Sequence, residues 1–356
     1  MSADFSAIPI IDVSPLLAAP VITAPVTTAP LLAPSPITAP HVADAAAKHQ
    51  TAAQLNTACR ESGFFYVVGH GVDADLQHRL LAQAREFFAR PVAEKMQIEM
   101  SRGGKAWRGY FRVGDELTSG LPDQKEGVYF GQETAADHPL VQSGTPLYGP
   151  NLFPEHPGEL RATVLQYMAA LTKLGHSLLA GIALGLGLPE HYFADHGTRD
   201  PLTLFRIFNY PPPSSAELWG VGEHTDYGLL TILLQDDVGG LEVKSRSQWV
   251  AAPPLANSFI CNIGDMLDRM TRGVYRSTPH RVRNLTNRHR LSFPFFFDPN
   301  FFADVRPIEL PSGETAPDDR GTRWDKSSVH IFQGTYGDYL LNKVGKAFPG
   351  LKDKVL

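Results

Sequence analysis

The spacing of apolar residues changes character near residue 200. Upstream of it, Leu160, Val164, Tyr167, Met168, Leu171, Leu174 and Leu178 recur at intervals of three and four, which predicts one long helix ending near Gly185 to Pro189. Ala45 to Glu61 has the Ala, Leu and Gln content of a helix, and helical patterns follow at about 73–90 and 92–99. Two apolar runs, Ile8–Val13 and Gly63–Val68, predict short buried strands. Downstream the runs become β-like and are separated by turn residues: Leu202–Tyr210, Leu229–Leu234, Leu241–Val243, Trp249–Ala251, Phe259–Ile263, His280–Asn284 and Leu291–Asp298. Many short strands at that spacing predict a sandwich or jelly roll.

One stretch fits neither pattern. Residues 13–43 contain no charged side chain, and prolines at 15, 20, 25, 30, 34, 36 and 40 exclude a membrane-spanning helix there, because each removes a backbone hydrogen bond that a bilayer cannot replace. Thr-Ala-Pro recurs at 23–25, 28–30 and 38–40, the composition of a polyproline-like spacer or, less economically, of a PxxP docking segment. A length of 356 residues alone suggests two domains. The order of elements instead predicts one α+β unit with a mainly β core, a double-stranded β-helix (jelly roll) braced by the long helix and an N-terminal helical region. Its expected parts are an N-terminal region at 8–155 interrupted at 13–43, a supporting helix at 156–190, the jelly roll at 200–300 and a C-terminal extension at 301–356.

Composition narrows the partners. With 32 basic against 37 acidic residues, a net charge of -5 and no Lys/Arg block, neither nucleic acid nor an anionic membrane is an expected partner. Cys59 and Cys261 are the only cysteines, too few for a disulfide framework and suited to a reducing, cytoplasmic setting. Met1 to Ile8 carries no positive residue and no compact apolar stretch, so no signal peptide is expected. A small-molecule substrate is the expected partner, and oligomeric state stays open.

Candidate chemistry begins at His224-Thr-Asp226, followed 54 residues later by His280. On extended backbone, positions i and i+2 project to one face, so His224 and Asp226 can converge on one ion. A third ligand from a neighbouring strand completes a two-histidine, one-carboxylate triad with open coordination positions, a donor set suited to non-haem Fe(II) and oxygen chemistry. The same residues also fit a strand-edge pair and a hydrogen-bonded core histidine. Ten residues beyond His280, Arg290-Leu-Ser292 is a second i, i+2 pair. If inward-facing, its guanidinium needs an anion, for which a small dicarboxylate offers bidentate pairing; the alternative is an arginine on the outer face.

Taken in order, the run His224 to Val243, then Asn262-Ile-Gly-Asp265, Ser277-Thr-Pro-His-Arg-Val282 and Arg290-Leu-Ser292, resembles the Fe(II)/2-oxoglutarate-dependent dioxygenase superfamily. The opening Ile8-Pro-Ile-Ile-Asp12 and the segment Gly63 to Gly71 are similar to its isopenicillin N synthase-like branch. The resemblance implies that His224, Asp226 and His280 hold Fe(II), that Arg290 and Ser292 bind the distal carboxylate of 2-oxoglutarate, and that Tyr210 contacts the cosubstrate or the pocket near the metal. It implies an oxidoreductase that couples decarboxylation of 2-oxoglutarate to succinate with O2-dependent hydroxylation, desaturation or cyclisation of a small specialised metabolite. Where many plant members carry Asn two residues before the tyrosine, this chain has Phe208, and Asn209 is displaced to the opposite face to close strand hydrogen bonding.

Three alternatives remain on the same residues. Relatives such as isopenicillin N synthase and aminocyclopropanecarboxylate oxidase dispense with 2-oxoglutarate, the microbial ethylene-forming enzyme consumes it, and a jelly roll can be a non-catalytic binder. Phe293, Phe295, Phe296 and Phe297 alternate along one strand, with Phe301 and Phe302 behind. Alternation allows only a subset to line a pocket, and any that do favour an apolar or aromatic substrate. Gly109–Phe111 and Gly127–Phe130 resemble the family's substrate-side region, with Lys125 and Glu126 expected as surface charges.

Overall fold

Alternation after residue 200 resolves into two facing sheets in the computed structural model, which describes residues 4–17, 40–118, 120–213, 215, 219–317, 321, 323, 326 and 328–347. The strands are β1 (Ile10–Asp12), β2 (Phe64–Val68), β3 (Gly109–Phe111), β4 (Leu117–Thr118), β5 (Leu121–Pro122), β6 (Glu126–Gly131) and β7 (Leu202–Tyr210). They continue as β8 (Val221–His224), β9 (Leu230–Gln235), β10 (Leu241–Lys244), β11 (Trp249–Ala251), β12 (Phe259–Ile263), β13 (His280–Val282) and β14 (Arg290–Asp298). The helices are α1 (Ser14–Leu17), α2 (Pro40–Glu61), α3 (Ala74–Ala89), α4 (Val92–Lys95), α5 (Pro139–Gln142), α6 (Leu160–Gly185), α7 (Asp265–Met270) and α8 (Tyr336–Ala347). The larger sheet runs β1-β2-β12-β9-β14-β7-β6-β3 and the smaller β11-β10-β13-β8, while β4 and β5 form a separate hairpin. Strands from the first 70 residues therefore hydrogen-bond directly to the central strands of the jelly roll.

The long helix is where its period placed it. Its apolar stripe, including Val164, Tyr167, Leu171 and Leu178, is fully buried. By length and apolarity α6 could span a bilayer, yet that stripe packs on the large sheet and against α2 and α3. Contact is close because Gly175 has no side chain: a Cβ there would lie 2.4 Å from the Phe297 ring. On β14 the odd residues Phe293, Phe295 and Phe297 are buried under this helix, while Ser292, Pro294, Phe296 and Asp298 face the inter-sheet cavity. Alternation thus leaves one of the four phenylalanines, Phe296, for the pocket; Phe301 is buried outside it and Phe302 is exposed.

Several boundaries differ from expectation. Val221–His224 forms a strand that was not predicted, and the Gly-rich stretch before Gly131 contains β3, β6 and the β4–β5 hairpin. Only Val92–Lys95 of the 92–99 helix is α-helical, followed by the 3-10 turn Met96–Ile98. Val13 and Leu16 are buried and α2 begins at Pro40, so 13–17 and 40–43 belong to the fold. The spacer reading then falls on residues 18–39, outside the described residues. Cys59 and Cys261 are free, and burial raises both thiols, leaving them inert.

Candidate active site

Antiparallel pairing of β13 with β8 sets His280 directly opposite His224, with ring centroids 4.2 Å apart. β8 ends at His224, so Asp226 sits in the turn beyond it rather than on the same extended strand. Even so, Asp226 Oδ1 lies 3.9 Å from His224 Nε2 and 3.8 Å from His280 Nε2. One donor atom from each residue falls within 4.8 Å of the others, the only such group among the described residues.

The surroundings aim these atoms. His224 Nδ1 lies 2.8 Å from the Gly222 carbonyl and His280 Nδ1 3.2 Å from that of Thr278; each carbonyl can only accept, so Nδ1 carries the proton and Nε2 keeps its lone pair for a cation. Asp226 Oδ2 accepts from Thr231 Oγ1 at 2.5 Å and from Asn262 Nδ2 at 2.7 Å, which leaves Oδ1 for the ion. Thr231 and Asn262 face each other across the β9–β12 ladder, so one register supplies both donors. Burial pushes His280 down to about 4, and the neighbouring His224 adds to this, keeping the ring neutral. Burial works against ionisation of Asp226, but the two imidazoles and the Asn262 and Thr231 hydrogen bonds hold its carboxyl below the usual range. Two neutral nitrogens and one carboxylate, oriented by their neighbours and with room for further ligands, fit Fe(II).

A second cluster lies on the facing sheet. The β14–β7 register pairs Arg290 with Tyr210 and Ser292 with Phe208. Arg290 is fully buried, its guanidinium 4.8 Å from the centre of the Tyr210 ring. Nε donates to the Gly239 carbonyl and Nη2 to Gln235 Oε1, while buried Nη1 has no hydrogen-bond acceptor among the described residues. An unsatisfied charged donor is costly, and a carboxylate would remove the cost. Ser292 and Tyr210 line the adjoining cavity of about 460 Å³, as do all three triad residues. These donors fit the distal carboxylate of 2-oxoglutarate.

Three sequence expectations need correction here. Asn209 does not merely close strand hydrogen bonds: its Nδ2 donates to Glu126 Oε1 at 2.8 Å, inside a buried network in which Glu126 also accepts from Lys95 Nζ at 2.7 Å and Tyr110 Oη at 2.5 Å. Glu126 is consequently no surface charge. Neither is Lys125, which is 2% exposed, lines the cavity 5.0 Å from the Phe208 ring centre and pairs with Asp123 and with Glu116. Burial alone would lower Lys125, but the two carboxylates keep it charged. Pairing of β6 with β7 was not legible; it sets Glu126 opposite Asn209, with Lys125 one residue before the strand.

Sequence reading also missed functional neighbours. Asn262 lay inside a quoted motif without a role, and Asp298 shares the parity of Arg290 and Ser292, a signal that places it on the cavity face. Glu116 and the C-terminal Tyr336 also line the cavity; nothing local marked them.

Comparison with known proteins agrees with this geometry. Residues 30–156 match the model described as "non-haem dioxygenase in morphine synthesis N-terminal", and residues 201–299 that of the 2OG-Fe(II) oxygenase superfamily. A probable iron/ascorbate oxidoreductase of Dictyostelium discoideum is 51% identical over 85% of this chain and 90% of its own length. A 1-aminocyclopropane-1-carboxylate oxidase of Dictyostelium mucoroides is 39% identical over 85% and 91%. A homoarginine-6-hydroxylase of Arabidopsis thaliana is 36% identical over 99% and 92%. Among solved structures, a full-length Neurospora crassa protein in complex with alpha-KG (2-oxoglutarate) and thymine superposes with a TM-score of 0.72 at 25% identity, covering 95% of this chain and 96% of that one. With a triad that fits iron and an unsatisfied arginine that fits the cosubstrate, the chain belongs to the 2-oxoglutarate- and Fe(II)-dependent oxygenase superfamily and is an oxidoreductase of that kind.

Proposed function

We propose that the enzyme hydroxylates a small amino acid bearing a positive charge on its side chain, with 2-oxoglutarate as cosubstrate. The observation that carries this reading is Glu116, a cavity-lining carboxylate that shares the Lys125 ammonium with Asp123 and is therefore only partly neutralised by it, while Arg206, Lys343 and Lys346 place positive charge elsewhere in the same lining. Glu116 is held further by the Tyr129 hydroxyl, which donates to it. A substrate cation would offset that charge where little water can. Relatives named for homoarginine and for 1-aminocyclopropane-1-carboxylate support an amino acid, and the hydroxylase name supports the reaction type.

Iron and 2-oxoglutarate, when bound, supply the oxidising power, with O2 reduced as 2-oxoglutarate becomes succinate and CO2. The chain's own contribution is positional. Arg290, Ser292 and Tyr210 hold the distal carboxylate of 2-oxoglutarate, and Asn262 and Thr231 fix Asp226. Phe64, Phe208 and Phe296 supply apolar wall around the substrate.

Succinate release should rise on adding homoarginine or arginine and should not rise with aliphatic or aromatic acids of similar size. Glu116→Gln, which keeps an acceptor oxygen but removes the negative charge, should raise KM for the cationic amino acid about tenfold, the difference between a charge-assisted and a neutral acceptor. Stimulation by neutral apolar compounds alone, or a Glu116→Gln enzyme with unchanged KM, would overturn the reading.

A further inference from the structure

The C-terminal helix α8 does two things at once. One face, with Tyr336, Leu340, Lys343 and Val344, lines the cavity. Two of its tyrosines, one turn apart, reach carboxylates on either side of the loop that carries the metal ligand Asp226. Tyr336 Oη donates to Asp298 Oδ2 at 2.5 Å, and Tyr339 Oη to Asp265 Oδ2 at 2.8 Å.

Both aspartates touch that loop, Asp265 through its backbone and Asp298 through its carboxylate. Asp265, at the start of α7, gives its own N–H to the Asp226 carbonyl at 2.8 Å, and Met266 N donates to the Gly228 carbonyl at 3.0 Å. From the opposite side the Asp298 carboxylate packs on Gly228 so closely that a Cβ there would sit 1.4 Å from Asp298 Oδ1. The loop from Asp226 to Leu229 is therefore held between α7 and the end of β14, and each side is tied to α8 by one tyrosine hydroxyl. Arg323, from the same C-terminal segment, pairs with Asp265 at 2.9 Å and strengthens the α7 side.

We propose that Tyr336 and Tyr339 are positioning residues for the metal centre: through Asp298 and Asp265 they fix the loop bearing Asp226, so that the helix forming the substrate wall also sets the geometry of the carboxylate ligand. The consequence is that pressure of a substrate on Leu340 and Val344 reaches the iron through two hydrogen bonds rather than through general packing. Neither tyrosine needs to touch the metal or the cosubstrate for this role.

Co(II) bound to the full-length protein reports on this without turnover. Tyr336→Phe and Tyr339→Phe each delete one oxygen, and Asp298→Asn keeps the shape of its side chain. Each should weaken Co(II) affinity severalfold and shift the visible ligand-field bands, and the double tyrosine variant should lose about tenfold, the lower end for partners that orient a ligand. Leu341→Ala, on the same helix, half-buried against the core and outside the cavity lining, should lower the melting temperature and leave the bands in place. Unchanged bands and affinity in the tyrosine and Asp298→Asn variants would overturn the proposal. So would a Leu341→Ala spectrum shifted as far as theirs, because that would make the effect one of loosened packing. Should one tyrosine variant fail to fold, the other against Leu341→Ala decides the matter.

Discussion

Asp226→Ala is expected to reduce succinate formation by about a thousandfold or more, consistent with the several kcal/mol that a metal ion contributes to a barrier. The size of the effect follows from the geometry. Asp226 supplies the only carboxylate of the triad, its second oxygen is already committed to Thr231 and Asn262, and both histidines are oriented toward the remaining one. Removing it leaves two neutral nitrogens, which hold a divalent ion weakly, and strands the Asn262 and Thr231 donors. His280→Ala should behave similarly, because among the described residues no other donor joins this group. Turnover should be measured beside Fe(II) affinity and the far-ultraviolet circular dichroism spectrum. A folded Asp226→Ala protein that retained a tenth of the activity would show that the metal is held elsewhere.

Arg290→Ala should raise KM for 2-oxoglutarate by roughly ten- to a hundredfold while kcat at saturating cosubstrate falls less. A charge-assisted hydrogen bond is worth about 1.5–3 kcal/mol, and about 1.4 kcal/mol is a factor of ten in affinity. The prediction rests on the buried Nη1 that no acceptor among the described residues satisfies. Ser292→Ala, a neutral partner of the same carboxylate, should cost several times less. Arg290→Lys should restore only part of the loss, since an ammonium cannot reproduce the planar fork that already spends Nε on Gly239 and Nη2 on Gln235. Steady-state kinetics in 2-oxoglutarate decide this, and an unchanged KM in Arg290→Ala would remove Arg290 from the cosubstrate site.

Those residues were legible in the sequence for a local reason. Arg290 and Ser292 are two positions apart on a nine-residue strand, long enough for alternation to assign faces, and α6 repeats its apolar stripe over 26 residues. His224 and Asp226 were readable as a pair, although the strand stops between them. What escaped depended on register between distant segments. β8 has four residues and β3 three, too few to display a period, and the β7 partners of β6 lie some 80 residues away along the chain. Lys125 and Glu126 therefore looked like surface charges, when pairing with β7 puts Glu126 into the Asn209 network and Lys125, one residue before the strand, lines the cavity. The same limit hid Tyr336 and Tyr339, whose roles exist only because α8 folds back across the loop that follows β8.

The most direct test of the central claim is the visible absorption spectrum of the protein with Fe(II) and 2-oxoglutarate under anaerobic conditions. A site built from His224, Asp226 and His280 beside Arg290 should give the charge-transfer band of 2-oxoglutarate chelated to iron, absent in Asp226→Ala and weakened in Arg290→Ala, and succinate should form when air is admitted. Iron that binds without any band on adding 2-oxoglutarate, and yields no succinate on aeration, would contradict the account.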